Sequence, residues 1–341
     1  MFRESLAFDD VLLEPKYSDI ESRSKINTKV SMGKYTFDHP IIPANMKTIT
    51  GKTMAEEVIR SGGLAILHRF DDFDDQIRNA ESIIGNHINN RTSNGNIAVS
   101  VGVKNIDRER VSIFYNAGIR IICIDIAHGD SKACIEMTSW IRKSYPDMFI
   151  IAGNVATGNG AMHLWEAGAD ACKVGVGSGS LCSTRIETGT GVAQLSALID
   201  VYETRSKLIK NRKVYIISDG GCKSAGDLVK SLCFSDMVMT GNLFAGCDQC
   251  PGEKINIDGI PFKQYAGSST HKTNHIEGVV ALVPYKGAYN TVLTKLLEGI
   301  RSGCSYQGAH NLEELKHDPT FIRISNAGLV ESHPHIKGKL I

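Results

Sequence analysis

Eight short apolar runs bounded by Gly, Asn, Asp or Ser recur along this chain and set its fold class. The runs are continuously apolar rather than alternating, which is typical of strands covered on both faces. Segments with apolar residues at positions i, i+3 and i+4 separate the runs and indicate amphipathic helices. The predicted strands are 40–45, 63–69, 97–102, 119–127, 149–155, 171–177, 214–220 and 236–242. The predicted helices are 53–62, 105–118, 131–144, 160–168, 192–205, 224–232 and 288–303.

A unit of strand, loop and helix repeated eight times predicts a parallel sheet with right-handed crossovers. Eight such units favour an α/β protein with a closed (β/α)8 TIM barrel over an open, doubly wound sheet. The open sheet would carry a Gly-x-Gly-x-x-Gly fingerprint after its first strand, and residues 40–51 contain none. We therefore predict one barrel domain over 1–341, with an N-terminal extension at 1–39, an active-site flap at 243–287 and a C-terminal tail at 320–341.

Composition excludes several classes of function. Lys and Arg total 38 against 37 Asp and Glu, so a strongly basic nucleic-acid-binding surface is not expected. No apolar run approaches the length of a membrane span, and the first residues have no signal-peptide core. Nine cysteines without regular spacing fit a reducing compartment better than a disulfide framework. The sequence predicts a cytoplasmic protein without nucleic-acid or membrane partners.

The stretch 174–191 carries the densest chemical signal, because Cys182 lies there among glycines and hydroxyl residues. Glycines allow positive φ and close backbone approach, and successive amides and carbonyls of such a loop can hold an anion or a cation. A Cys in a polar loop at a strand end is a candidate nucleophile, since a local dipole or hydroxyl donor lowers its pKa. The alternative interpretation, a small buried hydrophobe, is assigned to Cys123, Cys172 and Cys233.

Two more glycine-bearing loops, 218–221 and 239–242, follow strands seven and eight. In barrels these two loops commonly bind phosphate through backbone amides, so we predict a phosphate site between them. Asp219 is suited to accept hydrogen bonds from ribose hydroxyls. Its alternative role is to cap the helix that follows.

The flap 243–287 is polar and Gly-rich, and segments of this length commonly act as lids or binding elements. Within it, Cys247 and Cys250 have the spacing of a redox or zinc motif. A zinc site would need two further ligands, and the nearby candidates are His271 and His275. We predict two loop thiols rather than a zinc site.

Five motifs together resemble the family of IMP dehydrogenase and GMP reductase. They are LAFDDVLLEP, PIIPANM, AGNVAT, GVGSGSLCSTRIETGTGVAQLSA and IISDGGCKSAGD, and the resemblance runs from Phe8 to about His333. It implies a (β/α)8 barrel, usually a homotetramer, that binds a purine nucleotide and a nicotinamide cofactor. It also implies a covalent thioimidate between a catalytic Cys and purine C2.

Matched motif positions imply roles for individual residues. Cys182 would be the nucleophile, and Thr184 with Glu277 would move the proton to departing ammonia. Substrate binding would fall to Ser180, Asp219, Gly220, Gly221, Gly241, Asn242, Ser268 and Ser269, with Asp219 on the ribose and the two last serines on the base. The nicotinamide cofactor would be bound by Asp125, Asn154, Gly175 and Gly177. Backbone carbonyls of Gly177, Gly179 and Cys182 would hold a monovalent cation, expected to be K+.

The flap distinguishes the two activities of the family. Dehydrogenases carry an adjacent Arg-Tyr pair whose Arg activates the hydrolytic water, whereas 251–278 contains no Arg and no Arg of the chain precedes a Tyr. Without that base, hydrolysis has no obvious activator. The flap is also short, and no regulatory (CBS) module separates barrel units two and three. These features favour the reductase reaction, in which NADPH reduces GMP to IMP and ammonia.

Departures from the family pattern leave two alternatives open. The Pro of the Cys loop is Ser178 here, the second Gly of the strand-eight loop is Asn242, and the tail is closer to that of dehydrogenases. The first alternative is an IMP dehydrogenase without the CBS module, which converts IMP to XMP with NAD. The second is a catalytically silent barrel that binds purine nucleotides.

Overall fold

A computed structural model describes residues 2–90, 96–208, 212–267 and 279–334. In these ranges eight parallel strands form one sheet that curves into a nearly closed barrel. The strands are β1 (Ile41–Pro43), β2 (Ala65–Leu67), β3 (Ile97–Val101), β4 (Ile121–Asp125), β5 (Phe149–Val155), β6 (Ala171–Val174), β7 (Tyr215–Asp219) and β8 (Met237–Thr240). From β2 to β8 each strand pairs with the next, and β8 pairs back onto β1.

Helices on the outside connect the strands. They are α1 (Lys52–Arg60), α2 (Phe73–Asn90), α3 (Asn105–Asn116), α4 (Lys132–Ser144), α5 (Gly158–Glu166), α6 (Thr184–Thr188), α7 (Gln194–Leu208), α8 (Ala225–Leu232) and α9 (Tyr289–Tyr306). Side-chain caps define several helix starts: Thr157 accepts from the Gly160 amide and Ser224 from the Asp227 amide. None of the helices in the described ranges is long and apolar enough to cross a membrane.

The core lies within the barrel wall and beneath the helices. Every residue of β3 is buried, as are the first four residues of β4, because these strands are covered on both faces. The hairpin Val30–Met32 and Tyr35–Phe37 lies at the amino-terminal ends of the strands. There Tyr35 packs edge-on against Phe149, with ring centroids 5.8 Å apart. Because active sites of such barrels lie at the carboxyl-terminal ends of the strands, the functional edge is at the other end of the barrel.

The flap contains an antiparallel sheet of β9 (Ile255–Ile257), β10 (Ile260–Ala266) and β11 (Val280–Pro284). A buried lysine of β10, Lys263, fixes this sheet to the turn that follows β8. Its Nζ donates to the carbonyls of Cys247, Asp248 and Cys250 at 3.2, 3.1 and 2.6 Å. Both cysteines of the turn are free and buried, and burial raises the pKa of the Cys247 thiol to about 12 and that of Cys250 to about 11.

The predicted (β/α)8 barrel is confirmed: all eight predicted strands and all seven predicted helices are present, with shifts of a few residues at their ends. Several features were not predicted, among them helix α2, the flap sheet, the hairpin Val30–Met32 and Tyr35–Phe37, and the short helix α6. Helix α2 was missed because acidic and amide residues surround its apolar positions, although Phe73, Ile77 and Ile84 have helical spacing. The flap sheet was missed because its strands are short and lie in a polar segment. His271 and His275 lie outside the described residues.

The buried His39 predicts a pH dependence of stability. It is 1% exposed, its Nδ1 accepts from the Ile41 amide at 3.3 Å, and its Nε2 lies 3.1 Å from Ser61 Oγ. Burial lowers the pKa of His39 to about 4, against about 6.5 in an unfolded chain. Between pH 6.5 and pH 4, His39 is therefore protonated in the unfolded state and neutral in the folded state. Its contribution to the free energy of unfolding is fully present above pH 6.5 and is lost as the pH falls towards 4.

We expect the wild type to lose about 2 kcal/mol more unfolding free energy between pH 7.5 and pH 5 than the variant His39→Gln. Denaturant titrations of both proteins at the two pH values measure this difference. Equal losses in the two proteins would show that His39 does not contribute to acid sensitivity.

Candidate active site

The carboxyl-terminal ends of β4 to β7 bring four polar side chains together. Lys173 of β6 lies between two aspartates, with its Nζ 2.7 Å from Asp125 Oδ1 and 2.9 Å from Asp219 Oδ2. Asn154 of β5 donates from Nδ2 to Asp219 Oδ2 at 2.9 Å and to the Gly175 carbonyl at 2.8 Å. The parallel register produces this cluster, because the same ends of neighbouring strands meet at one edge.

The charges of this cluster stabilise one another. Lys173 is 2% exposed, and burial alone would lower its pKa, but the adjacent carboxylates of Asp125 and Asp219 outweigh burial and raise it. Burial would likewise raise the pKa of Asp125, but the Lys173 ammonium outweighs it and holds that pKa below its usual range. Lys173 thus remains an ammonium at neutral pH, and Asp125 remains a hydrogen-bond acceptor for a ligand.

These contacts settle the alternative role of Asp219. Helix α8 is capped by Ser224, whose hydroxyl accepts from the Asp227 amide, and the Asp219 carboxylate instead bonds Lys173 and Asn154. The interpretation of Asp219 as a helix cap is therefore wrong.

The predicted Cys loop follows β6. All nine cysteines lie within the described ranges, and Cys182 is exposed whereas the other eight are buried. Its amide donates to the Gly179 carbonyl at 3.0 Å, closing a turn, and its thiol donates to Thr184 Oγ1 at 3.1 Å. Cys182 is therefore exposed and has the Thr184 hydroxyl beside its sulfur.

The Cys loop lies against the loop that follows β7. Gly175 has φ of 153°, and a Cβ there would collide with the Asp219 carbonyl oxygen. Gly220 and Gly221 have φ of 86° and 82°, the left-handed region that glycine adopts without strain. The Gly220 amide itself donates to the Met239 carbonyl at 3.2 Å, and glycine turns of this kind can present further backbone amides to an anion.

The loop after β8 completes this edge of the barrel. A Cβ on Gly241 would lie 2.5 Å from the Tyr265 hydroxyl. Burial raises the pKa of this hydroxyl, and the neighbouring Ser180 opposes that effect. Lys286 Nζ donates to the Asn242 carbonyl at 2.6 Å and fixes the turn. Residues from the Cys loop, the β8 loop and the flap therefore meet at this edge.

The predicted site residues fall into two groups. Described residues that lie together at the carboxyl-terminal edge are Asp125, Asn154, Gly175, Gly177, Gly179, Ser180, Cys182, Thr184, Asp219, Gly220, Gly221, Gly241 and Asn242. Ser268, Ser269 and Glu277 lie outside the described residues.

Sequence reasoning missed Lys173, Gln194 and Tyr265. A signal existed for Lys173, because a lysine inside a strand that is otherwise apolar needs acidic partners. Gln194 begins α7 and Tyr265 belongs to the flap, and neither lies at the end of a predicted strand. Their placement depends on packing between segments distant in sequence.

Comparison with known proteins agrees with this arrangement. The family described as IMP dehydrogenase / GMP reductase domain matches residues 5–335. A GMP reductase of Streptococcus pyogenes serotype M1 is 40% identical over 327 residues, which cover 93% of this chain and 95% of that protein. An inosine-5'-monophosphate dehydrogenase of Nitrosopumilus maritimus is 32% identical over 474 residues, covering 98% of each.

A solved structure is similar over nearly the whole fold. It is that of a GMP reductase variant from Trypanosoma brucei in complex with guanosine 5'-monophosphate, with a TM-score of 0.89, 26% identity and 99% coverage of both chains. From the barrel, the converging loops and these matches, we conclude that the chain belongs to the IMP dehydrogenase/GMP reductase family.

Proposed function

We propose that this protein is a GMP reductase, which uses NADPH to convert GMP into IMP and ammonia. The observation that carries the proposal is the exposed thiol of Cys182, beside the Thr184 hydroxyl and on a loop packed against Asp219–Gly221. A flap without Arg supports reduction over hydrolysis, because it lacks the base that would activate water. The relatives at 40% identity are GMP reductases, and the similar solved structure contains GMP.

In this proposal the nucleotide binds across the three loops. Backbone amides at Gly221 and Gly241, with Ser180 and Asn242, bind the 5′-phosphate, and the Tyr265 hydroxyl lies beside Gly241. The Asp219 carboxylate accepts the ribose hydroxyls, since Lys173 and Asn154 hold it in place. Ser268 and Ser269 contact the base.

The proposed reaction exchanges the amino group at C2 for hydrogen. The Cys182 thiolate adds to C2 of GMP, Thr184 and Glu277 deliver a proton to the amino group, and ammonia leaves a thioimidate on the sulfur. The nicotinamide supplies the hydride that arrives at C2. The carbon–sulfur bond then breaks, its electron pair returns to Cys182, and IMP is released.

Residues at the ends of β4 and β5 fit a nicotinamide. The Asp125 carboxylate and the Asn154 amide oxygen are acceptors of the kind that the N–H groups of a carboxamide need. We propose that they hold the cofactor together with Gly175 and Gly177.

Three backbone carbonyls fit a monovalent cation. Carbonyl oxygens suit a hard cation such as K+, and those of Gly177, Gly179 and Cys182 lie in one short loop. We propose these as its ligands. The proposed assembly is a homotetramer, as the family resemblance implies. The proposed location is the cytoplasm, because nine cysteines without regular spacing fit a reducing compartment.

A pair of spectrophotometric assays tests the proposed reaction. We expect absorbance at the reduced nicotinamide band to fall when purified protein is mixed with GMP and NADPH, and not to rise with IMP and NAD. The second assay addresses the alternative, an IMP dehydrogenase, because the Nitrosopumilus enzyme is also similar to this chain, at 32% identity. Formation of NADH from IMP without consumption of NADPH would overturn the proposal in favour of the dehydrogenase.

Substitution of the nucleophile separates chemistry from binding. We expect Cys182→Ser to lower kcat about 1,000-fold or more, because a serine hydroxyl is a far weaker nucleophile near neutral pH. GMP affinity measured by calorimetry should change little, since the phosphate and ribose contacts remain. Retention of most of the activity would contradict the covalent mechanism.

Removal of the buried ammonium tests the charge cluster. Lys173→Met leaves the Asp125 carboxylate buried without its cation, so we expect a loss of about 3 kcal/mol of unfolding free energy at pH 7.5. An unpaired buried carboxyl has a raised pKa, and the folded variant therefore gains stability relative to the wild type as the pH falls towards 5.

Denaturant titrations at both pH values measure the effect, and Lys207→Met, at an exposed position of α7, serves as the matched control. A stability of Lys173→Met equal to that of the control would show that the cluster contributes nothing to folding.

A further inference from the structure

Ser178 links the Cys loop to the nucleotide loop Asp219–Gly221. Its Oγ donates to the Asp219 carbonyl oxygen at 3.1 Å. The two loops touch around this bond, because a Cβ on Gly220 would lie 2.9 Å from Ser178 Oγ and 3.1 Å from the Gly179 amide nitrogen. The hydrogen bond therefore lies in a close contact where neither loop can shift independently.

Gln194 supports the same contact from the barrel side. It is 2% exposed, and its Nε2 donates to the Val174 carbonyl at 2.7 Å and to Ser218 Oγ at 3.1 Å. A Cβ on Gly175 would lie 3.0 Å from both Gln194 Oε1 and Ser178 Oγ. Gln194 thus connects the ends of strands β6 and β7, and Ser178 connects the two loops that follow these strands.

The hydrogen bond of Ser178 lies close in sequence to the Cys182 thiol. The turn that carries Cys182 begins directly after Ser178, at the Gly179 carbonyl that accepts the Cys182 amide. At the other end, the side chain of Asp219 is fixed by Lys173 and Asn154. The Ser178 hydroxyl therefore adds a link between the turn that carries the sulfur and the charge cluster, beside the bond from Asn154 to the Gly175 carbonyl.

We propose that Ser178 is a positioning residue that sets the Cys182 thiol relative to a nucleotide bound at Asp219–Gly221. The effect on catalysis rests on the proposed function, whereas the loop link does not. The family has Pro at this position, and a proline ring restrains a loop through its fixed φ. In this chain a hydrogen bond between loops provides the restraint, and it depends on the conformation of the Asp219 backbone.

Hydrogen exchange in the absence of nucleotide tests the link directly. We expect Ser178→Ala to increase exchange of amides in 176–183 and 219–222 about fivefold, while the rest of the protein and its Tm stay as in the wild type. Ser178→Thr, which keeps the hydroxyl, should restore slow exchange, and Ser206→Ala, at an exposed serine of α7, is the control for hydroxyl loss. Exchange in Ser178→Ala within twofold of the wild type would overturn the inference.

Kinetics then test positioning. If the wild type reduces GMP, we expect Ser178→Ala to lower kcat about 5- to 10-fold, the size of one neutral hydrogen bond, with the Kd for GMP changed less than twofold. Faster exchange without a change in kcat would overturn the positioning role. A wild type that does not reduce GMP would overturn the proposed function, and the exchange result would still decide whether the two loops are linked.

Discussion

One buried ammonium group organises the functional edge of this barrel. Lys173 is 2% exposed, and its ammonium group is paired with carboxylates at the ends of β4 and β7. A charge buried in this way is tolerated only when its partners are fixed, so the ends of β4 and β7 cannot move apart without a large electrostatic cost. The loops after β6 and β7 extend from this fixed frame, which is why their contacts are close and specific.

The cysteines divide between the buried core of the barrel and its functional edge. Eight cysteines lie among apolar side chains, where burial keeps a thiol protonated, as the raised pKa of Cys123 and Cys233, each about 12, shows. Cys182 is surrounded instead by loop backbone and hydroxyl groups. Of the nine cysteines, all within the described ranges, Cys182 alone is exposed, and it lies at the carboxyl-terminal edge of the barrel.

The barrel was predictable because covered parallel strands leave a strong local signal. Continuous apolar runs such as Ile121–Asp125 indicate buried parallel strands when amphipathic helices separate them. The positions of Cys182 and Asp219 at strand ends were equally accessible, since topology alone carries such residues to one edge. Lys173, Gln194 and Tyr265 were not found, because their roles depend on partners 20 to 85 residues away. These contacts form only on folding: Gln194 bonds Val174, and the Tyr265 hydroxyl lies beside Ser180.

The lysine that joins the flap sheet to the turn after β8 limits how this sheet could be exchanged with that of a relative. Lys263 satisfies its three N–H groups with carbonyls of Cys247, Asp248 and Cys250, which form the turn that precedes the sheet within the flap. A sheet transplanted without this turn would leave either a buried ammonium without acceptors or a turn without its donor. In recombination or design, the turn and strand β10 should therefore be exchanged together, although Lys263 lies 13 positions after Cys250.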